Sequence, residues 1–223
     1  MALRPHRDQR HNEVVHIAEI INIDNVPHEV AFARCAEVIK AGGVIVYPTD
    51  TFYGLGADPK NPRAIKKIFE IKGRMADQPI LLLLSDRSNV NAWATTITPS
   101  AERLMDRFWP GPLTLVFKAR PDVLPELTGG TGTIGLRVPG SEVTRKLIGS
   151  SGKALTGTSA NRSGSPSPRT LDEVMRELGD RVDLVLDGGV LDADRPSTVV
   201  DVTVEPTRIL RMGALDVSAE LLR

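Results

Sequence analysis

The sequence predicts a single α/β domain on a twisted mixed sheet, parallel in part and antiparallel in part. Two observations carry that expectation. Short unbroken apolar runs, such as residues 44–47 and 80–84, have strand length and no polar face, as strands covered on both sides do. Between such runs lie segments with apolar residues at helical spacing, and Gly, Pro or Asn marks most of the joints. Helices and strands alternate irregularly and some strands are consecutive, which suits a mixed sheet better than a regular parallel one.

The elements follow in order. Residues 1–12 form a polar, basic arm, expected to be flexible, and residues 13–223 the domain. Residues 14–23 are rich in β-formers and predict an edge strand. Val30, Ala31, Cys35, Val38 and Ile39 share one face of a helix over 27–41, and Gly42-Gly43 is its stop. The strand over 44–47 ends at Pro48, which has no N–H for a ladder, and a loop of small and hydroxylated residues follows. Asn61 is the expected N-cap of a helix with Pro62 at its first position, and that helix ends near residues 72–74. Further helices are expected over 99–108, 142–148 and 171–178, the last behind Thr170. Strands are expected over 80–84, 113–118, 133–138, 153–156, 182–186, 197–204 and 208–212, with a helical turn at the end. Residues 109–112 (Trp-Pro-Gly-Pro) are a sharp break, and 121–132 and 157–170 read as loops.

Composition excludes several classes. With 28 basic and 28 acidic residues the net charge is near zero, which argues against a protein that coats nucleic acid. The single cysteine, Cys35, cannot form a disulfide within the chain, and its apolar helical face marks it as a buried thiol. No apolar run approaches the roughly 18 residues of a membrane span, and the polar start has no signal-like apolar segment. A cytoplasmic protein without membrane contact is the expectation. Three of the four histidines fall in the first 16 residues, and no HxH, CxxC or HExxH spacing occurs. Neither a protein-held metal site nor a Ser–His–Asp arrangement is expected.

Four segments end apolar runs or helices in Thr, Ser, Arg or Lys. The first is residues 49–53, with Thr51; locally it reads equally as a turn closing a strand. The second is Lys72-Gly73-Arg74, two cations just past a helix. In the third, strand alternation puts Thr133, Gly135 and Arg137 on one face. Arg137 lies among apolar neighbours and requires an anion, either an internal carboxylate or that of a ligand. The fourth is Thr158-Ser159-Ala160-Asn161, a phosphate-cradle composition that is also that of a plain surface loop. GxxxxGK[ST] and GxGxxG are both absent. This inventory suits gripping an anionic, nucleotide-like ligand and stabilising charge during transfer, not covalent catalysis.

Taken in order, PTDTFYGLG, KGR, WPGPLTLV, TIGLRVP, TSANRSGSPSP, STVVD and ILRMG closely resemble the YrdC-like family of threonylcarbamoyl-AMP synthases, over about residues 27–215. The resemblance implies a single YrdC-like domain with helices around a central ligand cavity, in the short form without an added C-terminal domain. It implies a nucleotidyltransferase that makes threonylcarbamoyl-AMP and pyrophosphate from L-threonine, bicarbonate and ATP, with Mg²⁺ accompanying ATP. The product serves threonylcarbamoyladenosine formation at position 37 of tRNA. Contact with tRNA or double-stranded RNA and a downstream threonylcarbamoyl transferase complex are the implied partners.

Carried over by position, the resemblance assigns L-threonine to Thr51, Arg137 and Ser197. It assigns ATP to Lys72, Arg74, Gln78, Thr133, Ser159, Asn161, Ser167 and Arg211, with Lys72 and Arg74 as the catalytic pair. The chain departs from the family at Leu83, where many members carry His, at Gln78 and at Met75. Leu83 shifts threonine selectivity toward Thr51 and Ser197, and Arg169 adds a cation near the phosphates. Two other readings stand beside this one. They are a non-catalytic RNA-binding or ribosome-maturation relative, which the neutral charge and the retained KxR and SxN disfavour, and another carbamoyl-AMP chemistry.

Overall fold

The computed structural model describes residues 17–75 and 78–221. The expected arm over 1–12 and the first residues of the predicted edge strand lie outside them. In chain order the elements are β1 Glu19–Asn22, α1 His28–Lys40, β2 Ile45–Tyr47, β3 Gly54–Gly56, α2 Pro62–Lys72 and β4 Leu82–Leu84. Then come α3 Pro99–Phe108, β5 Leu113–Lys118, α4 Pro125–Thr128, β6 Thr133–Arg137, α5 Glu142–Ser150, β7 Ala154–Thr156 and β8 Thr158–Ser159. The chain closes with α6 Leu171–Leu178, β9 Leu184–Asp187, β10 Thr198–Asp201, β11 Arg208–Arg211 and α7 Ser218–Leu221. No helix among the described residues is long and apolar enough to cross a membrane.

The α/β class and the mixed pairing are as expected, but the strands divide between two sheets. One has the order β1-β9-β2-β3-β8 and the other β11-β10-β5-β6-β4-β7, and each combines parallel and antiparallel pairs. Two strands that read as loops explain the difference. Gly54–Gly56 pairs antiparallel with β2, and Thr158–Ser159 with β3. Glycine and hydroxyl residues carry little strand propensity, so the neighbours decide their conformation. Two smaller corrections concern short helices: α4 sits inside the expected loop 121–132, and a 3-10 turn spans Arg87–Ala92.

Strand alternation separates the core into two layers. Val46, Leu82, Leu84 and Val185 pack with α2 and α3 residues such as Ile65, Ile68 and Leu104. Ile45, Tyr47, Leu83, Leu184 and Leu186 point the other way, against Phe32, Cys35 and Ile39 of α1 and Leu147 of α5. Both faces are covered, so the runs carry no polar alternation. Cys35 is a buried free thiol, as its helical position predicts.

Helix ends place the functional segments. Asn61 caps α2 by accepting from the Arg63 and Ala64 N–H groups, with Pro62 at the first turn. Gly73 ends the same helix in the left-handed region (φ 60°), which turns Arg74 away from the helix axis. Thr170 opens α6 with a reciprocal capping box to Glu173.

Gly157 is the crossing point between the sheets, since it lies between β7 of one and β8 of the other. Leu81 and Leu83 press on it so closely that a Cβ there would stand 2.6 Å from Leu81 and 2.7 Å from Leu83. Gly157→Ala is therefore expected to destabilise the domain by about 1–3 kcal/mol, the usual cost of overpacking. A shift in the urea midpoint measures it, and an unchanged midpoint would show that the two leucines yield freely.

Candidate active site

A cleft of about 460 Å³ is walled by both sheets and by the 157–168 loop. One end is cationic. Lys72, the last residue of α2, is 4% exposed, and its Nζ donates to Ser159 O at 2.6 Å, Asn161 O at 2.8 Å and Asn161 Oδ1 at 3.4 Å. Three donors thus meet three oxygens. The Lys72 carbonyl in turn accepts from Ser163 N at 2.9 Å, so this residue pins the loop by both its ends. Within the loop, Ser159 Oγ donates to Asn161 Oδ1 at 2.5 Å, and Asn161 Nδ2 donates to the Ser165 carbonyl.

Arg74 donates through Nη2 to the carbonyls of Gln78 and Pro79, at 3.0 and 2.9 Å, while its buried Nε has no acceptor among the described residues. Arg211, at the end of β11, donates from Nε and Nη2 to Ser197 O at 3.2 and 2.8 Å. None of these three cations has a carboxylate partner among the described residues. Burial, with Arg74 as the second cause, pulls the Lys72 ammonium down to about 8. Burial also lowers Arg74, and burial together with Arg137 lowers Arg211. Lys72 is buried, Arg74 half-buried and Arg211 exposed on the cleft wall, and among the described residues only neutral oxygens accept from them, an arrangement that suits an anionic ligand.

The other end is built on Arg137, the last residue of β6. Its Nε donates to Gly111 O at 3.0 Å, Nη1 to Thr51 Oγ1 at 3.1 Å and Nη2 to Asp50 Oδ1 at 2.5 Å. Gly111 comes from the Trp-Pro-Gly-Pro break, so that break supplies an acceptor to the site. Three of the five guanidinium N–H groups are committed, and the fork still faces the cleft. Thr51 is held by Thr49, whose Oγ1 accepts from Thr51 N at 3.0 Å. Ser197 Oγ meets Thr114 Oγ1 at 2.9 Å and Arg211 Nη2 at 3.2 Å, linking the two ends.

Of the residues singled out in the sequence, Thr51, Arg137 and Ser197 lie on the cleft wall. So do Lys72, Arg74, Gln78, Ser159, Asn161, Ser167 and Arg211, together with Leu83. Thr133 is not brought there. It shares a strand face with Arg137, but four residues of strand separate them by about 13 Å, and its hydroxyl meets Thr131 Oγ1 at 2.8 Å. Arg169 is exposed and outside the wall. Asp50 is a contact that the local sequence does not assign, since a carboxylate beside two threonines suits capping the loop and lining the site equally. Its apolar-flanked partner Arg137, which called for an anion, was the available signal.

Similarity to known proteins agrees with this geometry. A family profile described as Sua5/YciO/YrdC, telomere recombination, matches residues 37–213, and the chain belongs to that family. It is 39% identical over 197 residues to the threonylcarbamoyl-AMP synthase of Pyrococcus abyssi, covering 88% of this chain and 58% of that protein. It is likewise 39% identical to the threonylcarbamoyl-AMP synthase of Thiobacillus denitrificans, covering 73% of this chain and 86% of that one. Among solved structures, P. abyssi Sua5 complexed with L-threonine superposes with a TM-score of 0.86 at 37% identity, over 90% of this chain and 59% of that chain. The chain thus spans little more than half the length of the first of these relatives.

The lowered Lys72 value carries a pH prediction. Below about 8 the ammonium is charged and above it neutral, so anion affinity falls as pH rises through that value. Sulfate, whose charge is constant in this range, is expected to bind by on the order of tenfold less tightly once the charge is lost. Titration calorimetry from pH 7 to 9.5 reads the step, and Lys72→Met removes it. A step that persists in Lys72→Met assigns it to another group.

Proposed function

We propose that this chain is a threonylcarbamoyl-AMP synthase, forming threonylcarbamoyl-AMP and pyrophosphate from L-threonine, bicarbonate and ATP. The observation that carries the reading is the pairing of two unlike ends in one cleft. The end with Lys72, Arg74 and Arg211 gathers three positive charges, that of Lys72 buried, with no carboxylate partner among the described residues, which suits a triphosphate. The end with Arg137, Thr51 and Ser197 offers a fork and two hydroxyls, which suits a small hydroxy amino acid. The relatives' names and the L-threonine complex of P. abyssi Sua5 support the same assignment.

In this reading Arg137 holds the threonine carboxylate with its two uncommitted N–H groups, while Thr51 and Ser197 read the remaining polar groups. The threonine amine attacks the carbon of bicarbonate-derived CO₂ and loses a proton, giving a carbamate. A carbamate oxygen then attacks the α-phosphorus of ATP, and the bond to the bridging oxygen breaks as pyrophosphate leaves. Arg74 and Arg211 neutralise charge on the phosphates, and the Lys72-pinned loop presents Ser159 and Asn161 to the nucleotide, with Gln78 and Ser167 farther along the wall. Thr133 is assigned to the nucleotide by the resemblance alone. Positioning and charge neutralisation supply the acceleration.

No cluster of His, Cys, Asp or Glu suited to a metal occurs among the described residues. The Mg²⁺ of the reaction is accordingly proposed to arrive on the triphosphate, its usual carrier. The product's use in tRNA modification at position 37, contact with RNA, a downstream transferase complex and a cytoplasmic location belong to this proposal as well. No observation favours the RNA-binding relative or another carbamoyl-AMP chemistry over it.

The decisive assay follows pyrophosphate release with ATP, Mg²⁺, bicarbonate and each amino acid in turn. Release that depends on both L-threonine and bicarbonate is expected, and its absence sinks the reading. Arg137→Lys is expected to raise the threonine KM, with a loss of about 1.5–3 kcal/mol, because a point charge cannot replace the fork. An unchanged KM would make Arg137 structural. Lys72→Ala combined with Arg74→Ala should abolish turnover with the fold retained, and unfolding by circular dichroism would place the pair in the scaffold instead.

A further inference from the structure

The four cations of the cleft differ in one respect. Lys72, Arg74 and Arg211 have no carboxylate partner among the described residues, whereas Arg137 has Asp50 at 2.5 Å. The pair is well shielded, with side chains 5% and 17% exposed. Asp50 Oδ1 takes the Arg137 Nη2 proton, while Oδ2 is buried and accepts no hydrogen bond. Gly140 closes over that second oxygen, so tightly that a Cβ there would stand 2.9 Å from it. A carboxylate oxygen kept from water and from donors costs stability. With no other donor to spread it, the Asp50 charge acts chiefly on the guanidinium it touches. Asp50 itself is not on the cleft wall and reaches a ligand only through Arg137.

We propose that Asp50 sets the substrate class of the Arg137 end: by cancelling the guanidinium charge, it fits that end to a zwitterionic α-amino acid and leaves polyanions to the end lined by Lys72, Arg74 and Arg211. The inference rests on the reading that one end takes an amino acid and the other ATP. A zwitterion offers a carboxylate to the two uncommitted N–H groups, and its ammonium is not repelled by a neutral ion pair. A bare guanidinium would repel that ammonium and would attract any anion, a misplaced triphosphate included. Discrimination of this kind acts by withholding attraction from the wrong ligand, and one charge at close range in a shielded cleft suffices for it.

The test uses Asp50→Asn, which keeps an oxygen acceptor for Nη2 and removes only the charge. Calorimetry on the wild type and the variant gives Kd for ATP, for L-threonine and for deaminated threonine, in which a hydroxyl replaces the ammonium group. The wild type is expected to prefer L-threonine, and the preference should fall by on the order of tenfold in Asp50→Asn, mainly through tighter binding of the deaminated anion. A purely orienting role would weaken both ligands together and leave the ratio unchanged, and that outcome overturns the proposal. If the wild type binds neither L-threonine nor ATP, the synthase reading fails and this inference with it. Should Asp50→Asn not fold, Asp50→Ala carries the same ratio. Loss of the fold in both variants makes Asp50 part of the scaffold and overturns the proposal too.

Discussion

The buried ammonium of Lys72, held by three oxygens of residues 159–161, is the contact on which the rest of the site depends. An ammonium taken out of water needs its donors filled, and the loop supplies carbonyls and an amide oxygen instead of a carboxylate. The result is a loop folded around a positive charge that no carboxylate among the described residues neutralises. Because Lys72 also accepts from Ser163 N, the end of α2 is tied to the 159–163 segment at both its side chain and its carbonyl. Arg74, one residue past the Gly73 helix stop, is thereby held beside the same segment, its buried Nε without an acceptor among the described residues.

The opposite end follows the contrary rule. Arg137 sits at the C-terminal end of β6, among the apolar residues of the core, and the protein provides it with Asp50, Gly111 O and Thr51. Charge is cancelled at the end proposed to read an amino acid and left open at the end proposed to take the triphosphate. Ser197 joins the two, since its hydroxyl touches Arg211 from one side and Thr114 from the other. Adjacent sites with different charge balance can hold two ligands side by side without competing for them, which is the positioning the proposed adenylyl transfer requires.

Much of this is legible in the sequence. The N-cap Asn61-Pro62, the Gly73 stop and Thr170 each act through neighbours a few residues away, so their roles follow from local pattern. Arg137 declared its need for an anion because it is flanked by Ile134, Leu136 and Val138. The partition into two sheets was not legible. It turns on Gly54–Gly56 and Thr158–Ser159, whose residue types carry no strand signal and whose partners lie far off in the chain. Thr133 illustrates the complementary limit: alternation places it on the face of Arg137 but says nothing of the distance along the strand.

What the sequence determined by itself is the list of parts: strands without polar faces, helices with their caps, and cations at strand and helix ends in a familial order. These depend on short-range periodicity and on chemistry that each residue carries with it. Only the tertiary structure decided which anion Arg137 finds and which oxygens surround Lys72. Those partners lie 87 and 89 residues away in the chain, and their approach is set by sheet pairing and by close contacts such as Gly157 with Leu81 and Leu83. Whether a buried charge is cancelled or left open is a property of that packing, because the same arginine or lysine serves either end according to what is folded against it.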